Sequence, residues 1–119
     1  MNRPIKFRVW DKRENKGMST QNMLYDAQLH HLWQDFVDYP GSYELMQYIG
    51  CHDSSNKEIY EGDIVQYNNG DVIRIGYVGF MAGIFFLNYP DETDDELGYL
   101  LVSNLKVIGN IFEHSELLK

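Results

Sequence analysis

The chain has 119 residues, a mass of 14.0 kDa and a net charge of −8. This length fits one domain with one hydrophobic core, and a hydrophobic content of 44% with nine Tyr, six Phe and two Trp excludes a disordered chain. One cysteine excludes an internal disulfide, and the lack of a signal-peptide pattern or of an apolar run of about 20 residues predicts a soluble, cytoplasmic protein.

Charge is distributed unevenly along the sequence. The first sixteen residues carry a net +4, and the remaining residues carry −12. An acidic surface repels phosphate backbones, so nucleic-acid binding is disfavoured except through the short basic segment. The asymmetry also allows the basic start of one copy to meet an acidic face of another, although a solvated surface without a partner is the simpler explanation.

The N-terminal part predicts a strand followed by a helix. Apolar and cationic side chains alternate over residues 5–9, which predicts a half-buried strand with its cations on the outer face. From Asp26, a suitable N-cap, apolar residues recur at helical spacing up to Phe36. Residues 21–25 are also compatible with a short strand. Pro40-Gly41 ends the helix.

The rest of the chain predicts antiparallel strands joined by tight turns. The predicted strands cover residues 43–49, 64–67, 72–80, 84–89 and 105–112. Gly50 closes the first of these, and residues 51–56 form a loop between two strands that could pair as a hairpin. Residues 91–96 read as a solvated acidic loop, and residues 113–119 as a short helical turn docked through Leu117 and Leu118.

Four residues are predicted to set the turns. Gly62 can adopt positive φ and Asp63 can accept backbone hydrogen bonds, so residues 61–63 predict a tight corner. Asn69-Gly70 is a strong hairpin signal. The glycines at 76 and 79 predict bulges, bends or close backbone approach, and therefore a curled sheet.

These elements predict an α+β fold that is mostly antiparallel β. A small curled, SH3-like barrel is expected over residues 43–112, with the N-terminal strand and helix of residues 1–42 packed against it in a single domain of residues 1–119.

Several sequence blocks, taken in order, resemble the YopX family of small bacteriophage and prophage proteins. The blocks are K-F-R-V-W-D at 6–11, Met18, L-M-Q-Y at 45–48 with Gly50, K-E-I-Y-E-G-D-I-V at 57–65, V-I-G-N-I-F-E at 107–113 and E-L-L at 116–118. The chain departs from the family pattern at Cys51-His52 and Asn56, and residues 19–42 show no clear match. The resemblance implies a phage-encoded protein that self-associates, and it supplies no catalytic residues.

Metal-binding and catalytic patterns are weak. Cys51 and His52 point to opposite faces of an extended chain, so a zinc site completed by His30 and His31 is disfavoured. The acidic loop 91–96 lacks the glycine and terminal glutamate of a calcium-binding loop. We therefore predict no metal and no cofactor.

Three carboxylates and one buried side-chain amide are interpreted as structural. Glu58, Glu61 and Asp63 have no nearby nucleophile or phosphate-binding loop, so an enzyme is not expected. Asn110 lies among apolar residues and is predicted to form a hydrogen-bond bridge between loops.

The leading hypothesis is a non-enzymatic phage accessory protein that acts through protein contacts as a homo-oligomer, with an unidentified host or phage protein as a further partner and no membrane. Aromatic residues beyond the needs of a small core favour an interface. The candidate interface residues are Trp10, Trp33, Tyr48, Tyr60 and Tyr67. Two alternatives are a small β-barrel that binds nucleic acid and an acidic DNA mimic that occupies a host DNA-binding protein.

Overall fold

The computed structural model describes residues 4–12, 23–25, 33–100 and 102–119, with only the backbone described at Trp33 and Phe36. The chain divides into two compact units, Met1–Gln47 and Tyr48–Lys119. Most of the predicted helix, residues 26–32, lies outside the described residues. Within the described residues, no helix is long and apolar enough to cross a membrane.

The N-terminal unit is built on a central strand, β1 (Phe7–Asp11). It pairs antiparallel with β2 (Met23–Tyr25) and with the first half of β3 (Tyr43–His52). The short strand considered for residues 21–25 is therefore present at Met23–Tyr25. A six-residue helix, α1 (Trp33–Asp38), precedes β3.

The expectation that β1 turns its cations to solvent is wrong. Arg8 is only 3% exposed and Asp11 is also buried, whereas Ile5 is 63% exposed. β1 is paired on both sides, and Arg8 lies in register between Tyr25 and Met46. Long side chains on both neighbouring strands can cover a central strand in this way, and Ile5 lies before the paired region.

The second unit is mostly antiparallel β. Its five-stranded sheet has the order β8-β7-β6-β5-β9, and the second half of β3 pairs with β4. The strands are β4 (Glu58–Tyr60), β5 (Asp63–Asn68), β6 (Ile73–Met81), β7 (Ile84–Asn88), β8 (Asp94–Glu96) and β9 (Leu105–Asn110). Short 3-10 helices span Leu97–Tyr99, Val102–Asn104 and Ser115–Leu118. The mostly antiparallel prediction is confirmed, and the sheet curls as a half-barrel.

The core of this unit is apolar and fully enclosed. Ile59, Val65 and Leu87 are completely buried, and Val78 and Leu105 are nearly so. These residues come from five different strands, so burial of apolar area ties the sheet to β4.

The corner before β5 is fixed by backbone hydrogen bonds. Gly62 has φ 83°, and the Asp63 carboxylate accepts a bond of 2.8 Å from the amide of Tyr60. The Gly62 amide donates to the carbonyl of Val78, and the Gly62 carbonyl accepts from the amide of Ile111. One glycine thereby connects β4 to β6 and to the end of β9.

The Asn-Gly turn between β5 and β6 is held by side-chain oxygens. Asn69 Oδ1 accepts bonds of 2.9 Å from the amides of Asp71 and Val72, and Asn68 Oδ1 accepts from the amide of Gly70, which has φ 98°. The two asparagine side chains thus accept hydrogen bonds from backbone amides that the tight turn leaves without a strand partner.

Three predicted boundaries are wrong. β3 does not end at Gly50, because that residue takes φ 96° and the strand continues to His52 with a register shift against β4. The acidic loop is shorter than expected, because Asp94–Glu96 pair with β7 as strand β8. The last strand ends at Asn110 instead of Phe112.

The glycines of β6 mark close approach, which was one of the three expected possibilities. β6 keeps regular register with both neighbouring strands, so neither Gly76 nor Gly79 lies at a bulge. Instead, the backbone and side chain of Asn88 occupy the space that side chains at these two positions would need. A register shift is present elsewhere, between β5 and β9 near Val65.

Candidate functional site

The second unit contains an apolar pocket of about 490 Å³. Glu96 is the one charged residue among those that line it, and it pairs with Phe86 in the β7–β8 register, so its side chain lies on the face of the sheet opposite to Phe85. The other lining residues are Ile49, Cys51, Gly83, Ile84, Phe85, Leu97, Gly98, Leu100 and Val102. Such a lining offers apolar surface to an apolar group.

Three structural elements position these walls. Ile49 and Cys51 lie on β3, and Phe85 lies on β7. Leu97 begins the first 3-10 turn and Leu100 follows it, and a bond of 3.1 Å from the Leu100 amide to the Leu97 carbonyl closes the turn. Leu97 belongs to the enclosed core, and Ile49, Cys51, Phe85 and Leu100 pack against it, so these walls are rigidly supported.

An exposed apolar surface adjoins the pocket at the tip of the β6–β7 hairpin. The turn residues Ala82 and Gly83 have φ 55° and 81°, the pattern of a type I′ turn. Phe80, Met81 and Ile84 are 50%, 63% and 39% exposed, and we call these three residues the hairpin patch. The ring centroids of Phe80 and Phe85 are 4.9 Å apart, so Phe80 contacts a residue that lines the pocket. Met81 and Ile84 are paired with each other and project from the other face of the hairpin tip.

A polar cluster holds the turn that leads from β7 into β8. The Tyr89 hydroxyl donates a bond of 2.7 Å to Asp95, and burial together with this bond raises the pKa of Tyr89. Arg74 stacks 3.4 Å above the Tyr89 ring and donates to Asp91 and Thr93. These contacts fix β8 and therefore the position of Glu96.

The only cysteine is poorly suited to nucleophilic chemistry. Cys51 is partly buried, and burial raises the pKa of its thiol. The thiolate, which is the reactive form, is therefore less populated at neutral pH than in a free cysteine. Cys51 contributes an apolar wall to the pocket.

Two of the predicted interface residues are not on the surface. Tyr48 and Tyr60 are 4% and 3% exposed, and their ring centroids are 5.6 Å apart as neighbours across β3 and β4. Their placement in an interface is therefore wrong, because this cross-strand pair is used to fill the interior. The predicted strand at residues 43–49 includes Tyr48, but a strand prediction alone does not show which of its faces is buried.

The remaining predicted interface residues are divided between the two units. Trp10 is half-buried on β1 of the N-terminal unit, and Tyr67 is half-buried against the core of the second unit. The side chain of Trp33 lies outside the described residues. Neither unit therefore presents a described surface built from two or more of the five predicted positions.

His52, one of the residues considered for metal binding, lies beside a tyrosine. The His52 ring lies 3.5 Å from the Tyr48 hydroxyl, while His30 and His31 lie outside the described residues. Among the described side chains, no group of three His, Cys, Asp or Glu residues is arranged to hold a metal ion.

Asn110 organises its own turn instead of bridging two loops. Its Oδ1 accepts from the amides of Phe112 and Glu113, at 3.0 and 2.9 Å, and its Nδ2 donates to Glu113. All of these partners follow Asn110 within three residues, so the predicted bridge between loops is wrong. The Asn110 side chain ends β9 by binding the backbone of the turn that follows, as asparagine side chains commonly do.

Asp53 is a structural residue that the sequence analysis missed. Its Oδ1 accepts from the amides of Ser55 and Lys57, and its Oδ2 accepts 2.8 Å from the amide of Val107. Burial favours the protonated form, but these backbone bonds outweigh it and lower the pKa of Asp53. The residue closes the β3–β4 turn and covers the edge of β9.

Comparison with known proteins gives a consistent family assignment. A sequence model of the family described as YopX protein matches residues 6–119. A crystal structure of an Enterococcus faecalis protein aligns with a TM-score of 0.58 and 24% identity, covering 99% of this chain and 100% of that one. The crystal structure of protein YopX from Bacillus subtilis aligns with a TM-score of 0.61 and 20% identity, covering 96% and 98%. Among curated proteins, no match was found.

Proposed function

The chain belongs to the YopX protein family, and we propose that it is a non-enzymatic accessory protein of phages and prophages that acts through protein contacts and assembles with copies of itself. The observation that carries the proposal is the hairpin patch, in which Phe80 contacts the pocket residue Phe85. We also propose an SH3-like barrel as the fold subtype and the bacterial cytoplasm as the site of action.

Exposure of these side chains costs free energy unless a partner covers them. Removing apolar surface from water contributes about 25 cal/mol of favourable free energy per Å². Contiguous apolar patches on soluble proteins mark interaction surfaces. The tip of a hairpin projects such side chains outward on a rigid support, because a type I′ turn holds the two strands in fixed register. A protein interface that covers these side chains removes this free-energy cost.

The chemistry of the pocket supports binding over catalysis. Its walls are aliphatic and aromatic, and its thiol has a raised pKa. General acid–base or nucleophilic catalysis requires an activated nucleophile with a base within hydrogen-bond reach. A pocket lined mainly by apolar residues instead offers affinity for an apolar group.

Salt dependence separates two modes of self-association. Two cations of the basic segment are engaged within their own unit, since Arg8 is buried and the Lys12 ammonium lies 2.6 Å from the Glu44 carboxylate. An interface made by the hairpin patch is apolar, so high salt leaves it intact or strengthens it. An interface between basic and acidic surfaces weakens as salt screens it.

Replacing Phe80 with serine is expected to weaken self-association by at least about tenfold, because about 1.5–3 kcal/mol of apolar burial is lost. Light scattering after size exclusion, at low and high salt, measures this as a shift from a defined oligomer towards the monomer mass. Ile73→Ser is the matched control, since Ile73 lies on the same strand and is 58% exposed. A wild-type protein that is monomeric at all concentrations, or an equal effect of both variants, contradicts self-association through the hairpin patch.

A further inference from the structure

The second unit also carries a polar pocket of about 210 Å³, which shares no lining residue with the apolar pocket. Its lining residues are Ser54, Gln66, Asn68, Ser103, Asn104 and Lys106. Every one of these side chains can donate hydrogen bonds, one is a cation and none is acidic. This lining contrasts with the rest of the unit, because residues 48–119 contain twelve Asp and Glu against four Lys and Arg.

The pairing of β5 with β9 brings the central side chains of the polar pocket to one face of the sheet. Gln66 and Lys106 are directly opposite each other, and cross-strand partners point to the same face. Their neighbours Val65 and Val107 are buried in the core, and successive residues of a strand alternate between faces. The Gln66 carboxamide and the Lys106 ammonium therefore project from the outer face, as does Asn68, two residues after Gln66.

Two turns bound the polar pocket beside this face. Ser54 belongs to the β3–β4 turn, and its backbone amide donates a bond of 2.9 Å to the carbonyl of Leu105, which holds the turn against β9. Ser103 and Asn104 end the 3-10 helix Val102–Asn104, which leads directly into β9. Hydroxyl and carboxamide groups are thus carried to the pocket on backbone that is fixed by hydrogen bonds.

The donors of the polar pocket are available to a ligand. Within the described part of the chain, the side chains of Gln66, Asn104 and Lys106 make no hydrogen bond or ion pair. The carboxamide of Asn68 is oriented, because its Oδ1 accepts from the amide of Gly70 and its NH₂ group is left to donate. A set of donors with a single positive charge is complementary to an anion that has several acceptor oxygens.

The carboxylate nearest to this pocket in sequence is already occupied by backbone donors. Asp53 precedes Ser54, and its two oxygens accept hydrogen bonds from the amides of Ser55, Lys57 and Val107. These bonds offset its negative charge. Exposed charges beyond a Debye length of about 8 Å are largely screened at physiological ionic strength. The lining of the pocket therefore dominates the potential that a small anion experiences there.

We propose that the polar pocket binds the phosphate group of a phosphomonoester. The Lys106 ammonium contacts the charged oxygens, and the neighbouring carboxamides and serine hydroxyls donate to the remaining lone pairs. Lys, Ser, Asn and Gln are side chains that proteins commonly place on phosphate oxygens. One cation is too few for the backbone of a nucleic acid, whose binding relies on several.

The size of the polar pocket limits what it encloses. Clefts that hold drug-sized ligands measure roughly 300–1,000 Å³, so this smaller pocket takes the phosphate and the atoms next to it. The same group occurs in small metabolites and on phosphorylated side chains of proteins. This inference goes beyond the self-association proposed above and does not depend on it.

Nuclear magnetic resonance of the isotope-labelled full-length protein tests the assignment, because the NH₂ groups of Gln66, Asn68 and Asn104 give signals of their own. The probes are glycerol phosphate and a phosphoserine peptide, each compared with its unphosphorylated twin. Phosphorylated probes are expected to shift these signals saturably, while the twins do not and the NH₂ signal of Asn88, outside the pocket, stays in place. The probe that binds more tightly identifies the source of the phosphate. No shift with either phosphorylated probe, or equal shifts with the twins, overturns the proposal.

Substitution of Lys106 distinguishes a specific site from attraction by net charge. Lys106→Gln is expected to weaken binding of the tighter probe by about tenfold, since a charge-assisted contact is lost. Lys119→Gln removes the same charge from an exposed position outside the pocket, and is expected to change affinity by less than about twofold. Equal effects of the two variants contradict the site.

A carboxylate placed inside the polar pocket gives a second, independent test. Gln66→Glu sets a negative charge opposite Lys106, an arrangement that the paired strands tolerate because opposite charges across strands attract. The variant is expected to keep the circular dichroism spectrum of the unmodified protein and to lose phosphate binding. A folded Gln66→Glu protein that binds the phosphorylated probe with unchanged affinity refutes the proposal.

Discussion

Replacing Gly76 with alanine is expected to lower the free energy of unfolding by about 3 kcal/mol, a large fraction of the roughly 5–15 kcal/mol that stabilises a small protein. A Cβ at this position would collide with the carbonyl oxygen of Asn88 and lie 3.0 Å from Cδ1 of Tyr89. Both atoms belong to the adjoining strand or its end, so β6 and β7 would have to separate. Urea denaturation followed by far-ultraviolet circular dichroism measures the loss.

Gly98→Ala is the matched control for this substitution. Gly98 lies in the same unit, and a Cβ there would meet no atom within 4 Å. Its effect is expected to stay within about 0.5 kcal/mol. If Gly76→Ala were as mild as Gly98→Ala, the close packing of β6 against the end of β7 would be incorrect.

Replacing Asp53 with alanine is expected to cost about 3 kcal/mol as well, because three backbone amides lose a charged acceptor. The Val107 bond joins positions 54 residues apart, so its loss releases the edge of β9 as well as the local turn. The same denaturation experiment applies. Asp71→Ala, at an exposed turn position, is the control with the same change in charge.

The contribution of Asp53 also depends on pH. Its pKa in the folded protein lies below the ordinary value of 3.8, so protonation favours the unfolded state. The stability it supplies is complete above that ordinary value and is lost as pH falls through the lowered pKa. Asp53→Asn should therefore flatten this part of the acid limb of the stability profile. An unchanged acid limb in Asp53→Asn would contradict the assigned bonds.

Local turn chemistry is the part of the fold that sequence reveals most directly. Asn69-Gly70 and Gly62-Asp63 act on backbone atoms within three residues, so the residue types alone indicate the reversals. The strands on either side follow from β-forming residues between such turns. The family resemblance is likewise carried by short continuous blocks, and the family assignment is confirmed.

Features that depend on distant pairing were not accessible from the sequence. In the sequence, Asp53 looks like an ordinary loop residue, because its partner Val107 on β9 is 54 positions away. The acidic stretch Asp94–Glu96 has low strand propensity, and pairing with β7 overrides it. Arg8 reads as exposed because alternation does not show that β1 is central.

The candidate site illustrates the same limit. Aromatic residues were counted as surplus to the core, yet Tyr48 and Tyr60 fill it. The exposed apolar side chains are instead those at the tip of the β6–β7 hairpin, where the predicted turn at residues 81–83 gave a local signal. The pocket could not be predicted from the sequence, because it forms only where β3, β7 and a 3-10 turn come together in the fold.

Hydrogen–deuterium exchange of the intact protein at low and high concentration tests most directly whether the apolar surface of the second unit is where proteins bind. We expect concentration-dependent protection of amides at residues 79–86, with no such change at Gly41 or Val72. Protection confined to β1, or exchange that is identical at all concentrations, would contradict self-association through the hairpin patch.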